Sequence, residues 1–338
     1  MTKKVVISGY YGFENFGDEA ILNVLSNELK KNGFDVTVFS KNPQFTSSKL
    51  NVNSVYTFDI RTLVKTIKDT DVLFSGGGSL LQDVTSIKSL FYYLFVIATA
   101  IFFKKDVIIF AQGIGPINNI IGRSLTKILL KRCKYVTVRD KKSYSLLQKW
   151  GLNPDLVSDP VWNLQLPEYK PKNKIGIQLR SWHSLTDEYL KSLATSVNKN
   201  FATKEIVIYS FQDVLDLDTC LKFEKYLKET NPNIKTKVLN AMSIDDTSKS
   251  FSELQYVIAM RYHACLLALK YGIPTLALSY DEKVEKIAHR FNLPCSFLNS
   301  EENFANLIKD MLALNIQEIR KNASSCYFSF QKIVDLLK

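Results

Sequence analysis

Cysteine is scarce. The 338 residues contain five, Cys133, Cys220, Cys265, Cys295 and Cys326, odd in number, widely scattered and without a C-x-x-C pair. That pattern argues against a disulfide framework and a zinc site and suits a reducing cytosol. Long apolar runs are missing too. The one stretch apolar enough to suggest a membrane span, residues 89–103, uncharged between Lys88 and Lys104, falls short of the roughly 20 residues needed to span a bilayer. The start, Met1-Thr-Lys-Lys, passes after four apolar or small residues to Gly9 without the apolar core of a secretion signal, so no export is expected. No fixed-period repeat or low-complexity tract interrupts the chain. The net charge of +11, from 44 basic and 33 acidic side chains, favours anionic partners. Because the cations are spread along the chain as single residues and pairs and no arginine-rich arm, finger spacing or RNA-binding aromatic signature accompanies them, a phosphorylated small substrate or an acidic lipid surface is expected rather than nucleic acid.

Strands and helices alternate throughout. Residues 3–9, 35–40, 71–75, 106–111 and 135–139 are apolar runs that predict buried strands, and residues 19–30 and 142–150 have helical period. Residues 167–174 are charged, hold two prolines and lack an apolar period, which reads as a linker. Strands are predicted again at 175–182, 205–210, 235–239, 255–260 and 274–279, with helices between them and on to Lys338. The expected fold is α/β, with two Rossmann-like domains facing a cleft, at 1–166 and 175–338. The aromatic-rich segment 89–103 would cover the first sheet, burial being favoured over docking at a membrane surface.

Three glycine-bearing loops follow strands of the first domain, at 9–17, at Gly76-Gly77-Gly78 and at Gln112-Gly-Ile-Gly-Pro116. Each could be a tight turn, but three on one sheet favour a shared ligand cleft. Asp18 follows the first of them, placed to cap the next helix and able as well to act as acceptor or base toward a sugar hydroxyl. In the second domain Met260-Arg261-Tyr262-His263-Ala264-Cys265 sets a guanidinium and an imidazole two residues apart where a strand gives way to a helix. That is an anion site, most plausibly for phosphate, although a solvated arginine and a packing histidine would look the same. Arg180, near the end of another strand, would add a third cation, enough to neutralise a carboxylate plus a phosphate. Tyr280 and Lys283 could reach the same rim, or belong to a solvated helix start.

Gly9-Tyr-Tyr-Gly-Phe-Glu-Asn-Phe-Gly-Asp-Glu-Ala-Ile-Leu22, Gly76-Gly-Gly-Ser-Leu-Leu-Gln-Asp83, Gln112-Gly-Ile-Gly-Pro116, Val138-Arg-Asp140, Asp159-Pro160, Arg261-Tyr-His263 and Ser279-Tyr-Asp-Glu-Lys-Val284 stand in this order. The ordered set resembles the polysaccharide pyruvyl transferases, especially the branch that makes pyruvate ketals on bacterial cell-wall polymers. The resemblance implies a fold similar to the glycosyltransferase B fold, phosphoenolpyruvate as donor, and no metal or cofactor. It implies Arg261, Tyr262 and His263 as the donor set with Arg180 beside them, and Asp18 as the essential acidic residue. Asn15, Gly76, Gly77, Gly78 and Gln112 are then expected substrate contacts of the acceptor-side domain. The implied acceptor is a glycan or lipid-linked saccharide, as in precursors containing N-acetylmannosamine. The place expected is the cytoplasm, with peripheral contact at the inner face of the membrane as an option. This chain differs from the family's usual pattern in carrying Tyr262 for Leu and Glu282 for Pro. Two other functions fit the fold class: a nucleotide-sugar glycosyltransferase, and a non-catalytic binder docked through residues 91–103.

Overall fold

A computed structural model describes residues 2–298 and 303–338. Its contacts divide the chain into two compact units, Met1–Leu164 with Tyr327–Lys338, and Gln165–Cys326.

In the first unit seven parallel strands, β1 (Lys4–Ser8), β2 (Asp35–Ser40), β3 (Asn53–Tyr56), β4 (Val72–Ser75), β5 (Asp106–Gln112), β6 (Tyr135–Val138) and β7 (Asp155–Leu156), form one sheet. Their order is β3-β2-β1-β4-β5-β6-β7. Parallel strands need crossovers, and the crossing helices cover both faces of the sheet. Strands covered on both faces read as unbroken apolar runs, hence Val5-Val6-Ile7 and Val107-Ile108-Ile109-Phe110, all buried. One crossover is the helix Ile87–Phe102, which puts Leu90, Leu94 and Ile97 into the core against Leu73 and Val107. Its other side is bare, with Phe91, Phe95 and Phe102 exposed, so the segment expected to be buried is buried along one face only.

The second unit repeats the plan. Strands β8 (Lys174–Gln178), β9 (Glu205–Tyr209), β10 (Thr236–Leu239), β11 (Tyr256–Ala259), β12 (Thr275–Ser279) and β13 (Cys295–Phe297) pair in parallel in the order β10-β9-β8-β11-β12-β13. Both sheets reverse the direction of strand addition beside their first strand, at β1/β4 and at β8/β11. In open α/β sheets the splayed loops at such a reversal leave a crevice beyond the strand ends.

Two boundary expectations are corrected. Residues 167–174 are not a free linker: the Lys170 and Lys172 N–H groups donate to Ser252 and Glu253 carbonyls at 2.9 and 2.8 Å, and the Tyr169 hydroxyl donates to Leu254 O at 2.9 Å. The final residues leave the second unit. Phe328 meets Phe110 of β5 edge-on at 5.0 Å and Phe330 stacks on it at 5.7 Å, and the Asn163 side chain brackets Phe328 through its backbone O and N–H at 2.8 and 2.9 Å. A covered face explains the return, since burying such a ring contributes about 1.5–3 kcal/mol.

Candidate functional site

Each unit gathers candidate residues at its own reversal point. In the first, the helix Phe16–Lys31 starts immediately after the loop that leaves β1. Asn15, not Asp18, caps it, its Oδ1 accepting the Gly17 N–H at 3.1 Å. The helix begins three residues before the predicted start, so Asp18 sits in the first turn, half-buried, with its carboxylate facing the loop after β4. Gly78 there has φ +98°, and a Cβ on it would lie 2.6 Å from Asp18 Oδ1. A Cβ on Gly76 would lie 1.9 Å from the Tyr11 hydroxyl, and one on Gly77 would lie 2.7 Å from Ile21 Cγ2. The three glycines therefore make room for side chains of the β1 loop and its helix; close approach of a ligand is not what requires them.

Gln112 braces this arrangement from below. Strand β5 shifts register at Ala111, whose φ of 45° is left-handed, and the bulge re-aims the following side chain. The wholly buried Gln112 amide then donates to Ser75 Oγ and Gly76 O, both at 2.8 Å. It holds the loop instead of offering a surface to substrate.

Two residues of the Gly9–Leu22 motif come forward only in the structure. Tyr11 is fully buried, and its hydroxyl has no hydrogen-bond partner among the described residues. Burial first, and the Asp18 charge next, push its pKa well up. Glu19 accepts the Gly12 N–H at 2.7 Å, and burial, aided by Asp18, raises its carboxyl from 4.5 to about 7 against that bond's opposing effect. A carboxyl poised near neutrality beside Asp18 can take or give a proton.

In the second unit strand β11 ends at Ala259, and the helix Tyr262–Tyr271 opens at Arg261 without a side-chain cap. The sequence expectation of a strand passing into a helix at this motif holds. Arg261 itself is turned inward. Its Nε and Nη2 grip the two oxygens of Asp216 at 2.8 and 2.6 Å, and Nη2 also meets Gln212 Oε1 at 3.3 Å. Asp216 is wholly buried and accepts the Phe211 and Gln212 N–H groups and Gln178 Nε2 as well. Gln178 Oε1 in turn accepts the Arg261 N–H at 2.7 Å. The expected set of three uncompensated cations is thereby corrected, because a fork-to-fork ion pair already neutralises Arg261.

Arg180 keeps its charge available. Strand β8 stops at Gln178, so Arg180 and Trp182 lie in the loop beyond it and not within the predicted strand. The guanidinium sits over the Tyr280 and Trp182 rings at 4.8 and 5.1 Å and donates from Nη1 to the Tyr280 hydroxyl at 3.0 Å. Its Nε is buried without a hydrogen-bond partner, and no carboxylate pairs with it among the described residues. Burial raises the Tyr280 pKa, while Arg180 and Arg261 both pull against that rise, so the two cations share one neighbourhood. Tyr262 and His263 occupy the first turn of their helix, half-buried, with ring centroids 5.1 Å apart. Lys283 is exposed on the first turn of the helix Glu282–Arg290, which Asp281 caps through the Lys283 and Val284 N–H groups. Other motif residues are structural: Arg139 pairs with Asp159 in the interior, and Asp140 caps the helix Lys141–Lys149. No group of three His, Cys, Asp or Glu among the described residues could hold a metal ion.

The model of the family described as polysaccharide pyruvyl transferase matches residues 15–282. The chain belongs to the polysaccharide pyruvyl transferase family. The matched span of this pyruvyl transferase family member runs from the Asn15 cap to Glu282 and takes in Asp18, the Gly76–Gly78 loop and the whole second reversal point. Solved structures resemble it in fold. A putative UDP-N-acetylglucosamine 2-epimerase from Listeria monocytogenes has a TM-score of 0.67 at 11% identity, over 99% of this chain and 94% of that one. The S. aureus MnaA co-structure with UDP has a TM-score of 0.66 at 10% identity, over 100% and 96%. Anabaena HepE, solved with UDP and glucose, has a TM-score of 0.64 at 11% identity, over 99% of both chains. These neighbours share the two-Rossmann, glycosyltransferase B-like architecture with the family member described here.

Proposed function

We propose that the chain transfers pyruvate from phosphoenolpyruvate to two hydroxyls of one sugar in a cell-wall or surface polysaccharide precursor, forming a cyclic ketal and releasing phosphate. The observation that carries this reading is Arg180, a cation without a carboxylate partner among the described residues, held by Trp182 and Tyr280 at the β8 end of the second reversal point. An unpaired guanidinium over two rings is preorganised to accept a carboxylate or phosphate oxygen at little cost in side-chain entropy. The uncapped helix start at Tyr262 supports the phosphate half of such a donor, since first-turn N–H groups and the helix dipole favour anions.

His263, on that first turn, delivers a proton to C3 of phosphoenolpyruvate, which makes C2 electrophilic. One sugar hydroxyl adds to C2 and gives up its proton to Asp18, with Glu19 beside it as a second proton acceptor. A second hydroxyl then bonds to C2 as the C2–O bond to phosphate breaks. One hydroxyl proton thus replaces the proton spent on C3, and the other leaves with phosphate. Arg261 acts indirectly, its bond to Gln178 and its pair with Asp216 fixing the strand ends that carry Arg180 and His263.

A nucleotide-sugar donor fits the neighbours' fold, but the side chains favour it less. Asp281, a candidate ribose partner, caps a helix; Glu282 pairs with Lys286 at 3.1 Å; and the Trp182 and Tyr280 rings are occupied by Arg180. The test is incubation with phosphoenolpyruvate and a panel of lipid-linked and synthetic disaccharides. Inorganic phosphate should appear together with a product heavier by pyruvic acid less one water. Turnover with a nucleotide sugar and none with phosphoenolpyruvate would reverse the assignment.

A further inference from the structure

The first unit carries an apolar surface that the proposed chemistry does not use. The helix Ile120–Leu130 packs against the helix Ile87–Phe102, close enough at Gly122 that a Cβ there would lie 2.8 Å from Leu90 Cδ2. Neither helix buries its outer face. At about 100° per residue, Ile87, Phe91, Phe95 and Phe102 fall within an arc of about 80° on the first helix. All four are exposed, Phe102 at 78%. On the second helix Ile120, Ile121, Leu125 and Ile128 are exposed, the first two at 77% and 64%. Neither helix contains an acidic residue. Exposed Lys88, Lys104, Arg123, Lys131 and Arg132 lie on or immediately beside them.

We propose that these two helices dock the chain on an anionic lipid bilayer. Apolar and aromatic side chains on one arc, with cations along the border, are what the boundary between acyl chains and anionic headgroups accommodates. Long basic side chains can lie over the apolar surface while their charges stay in the headgroups. No helix among the described residues is long and apolar enough to cross a membrane, so the contact is peripheral. The charge also selects against a second copy of this chain as the occupant, since a two-fold contact would bring the same basic borders together. Docking requires no donor and goes beyond the transfer reaction.

Flotation of the full chain with vesicles tests it. The protein should float with vesicles of phosphatidylcholine and phosphatidylglycerol at low salt, less at high salt, and weakly with phosphatidylcholine alone. F95S/F102S/I128S, with an unchanged circular dichroism spectrum, should lower partitioning at least about tenfold. K104E/K131E should lower it about fivefold or more per residue, the factor expected for each cation near an anionic surface. Retention at the bottom of the gradient with anionic vesicles at low salt, or variants that float like the wild type, would overturn the proposal. So would sedimentation as a dimer that F95S/F102S/I128S converts to monomer, which would assign the face to a second copy. None of these readouts involves phosphoenolpyruvate, so failure of the transfer assignment and failure of docking are told apart.

Discussion

Replacing Asp216 by Ala should damage the second unit far more than any surface charge change. The carboxylate is wholly buried and accepts from Arg261 Nε and Nη2, from Gln178 Nε2 and from two backbone N–H groups. Removing it strands a guanidinium that is itself only 8% exposed. Breaking a buried ion pair in this way costs about 3–5 kcal/mol. With a urea slope of about 2 kcal/mol per molar, the midpoint should fall by about 2 M. The assay is tryptophan fluorescence in a W150F/W162F background, which leaves Trp182 as the single tryptophan and reports on the second unit. Lys225→Ala is the control, because its 3.8 Å contact with Glu229 is exposed and worth about 0.5 kcal/mol or less. D216L/R261M, which removes both charges, should regain at least half of the loss. A D216A midpoint within about 0.3 M of the parent would refute the view that this pair holds the strand ends together. It follows that Arg261→Ala alone is a poor test of donor binding, since it leaves Asp216 buried without its partner.

Three further outcomes are expected. Arg180→Ala should raise the KM for phosphoenolpyruvate about 10- to 100-fold, the loss of one charge-assisted contact, while the urea midpoint stays put; an unchanged KM would remove Arg180 from donor binding. Tyr11→Phe should be neutral or stabilising by about 1 kcal/mol, because it deletes a buried hydroxyl that has no partner among the described residues, and a clear loss of stability would show that the hydroxyl is satisfied. Glu19→Gln keeps an acceptor for the Gly12 N–H and removes the titration. The folded state raises this carboxyl from 4.5 to about 7, so the wild type binds the proton more tightly when native. Its stability is intact below about pH 4.5 and declines as pH rises toward 7. The advantage of E19Q should therefore open across that window to on the order of 2 kcal/mol, discounted for partial exposure. Urea midpoints between pH 4.5 and 8 that run parallel for the two proteins would contradict the assignment.

The strands that lie inside the sheets were legible because burial on both faces leaves an uninterrupted apolar run, as in β1, β5 and β8. Two edge strands, β3 and β13, were not. Asn53-Ser-Val-Tyr56 and Cys295-Ser-Phe297 are short and partly exposed, so neither period nor hydrophobicity marks them. At the site, the loop glycines and Arg261 were visible as motifs, but their physical role was not. Asp216 lies within the helix Asp213–Thr230, 45 positions from Arg261, and only the β9-β8-β11 strand order brings the two together. The Asn15 cap was missed because the helix starts three residues early, which moves Asp18 from the cap into the first turn. The elevation of Glu19 depends on the loop folded over it, a tertiary effect with no local sequence mark.

The homecoming of the last twelve residues means that the polypeptide leaves the first unit at 164 and re-enters it at 327. Neither a fragment ending at Leu164 nor a deletion of the tail reproduces that unit, because each would expose Phe110 and the neighbours that Phe328 and Phe330 seal. During synthesis, then, the half made first is finished last.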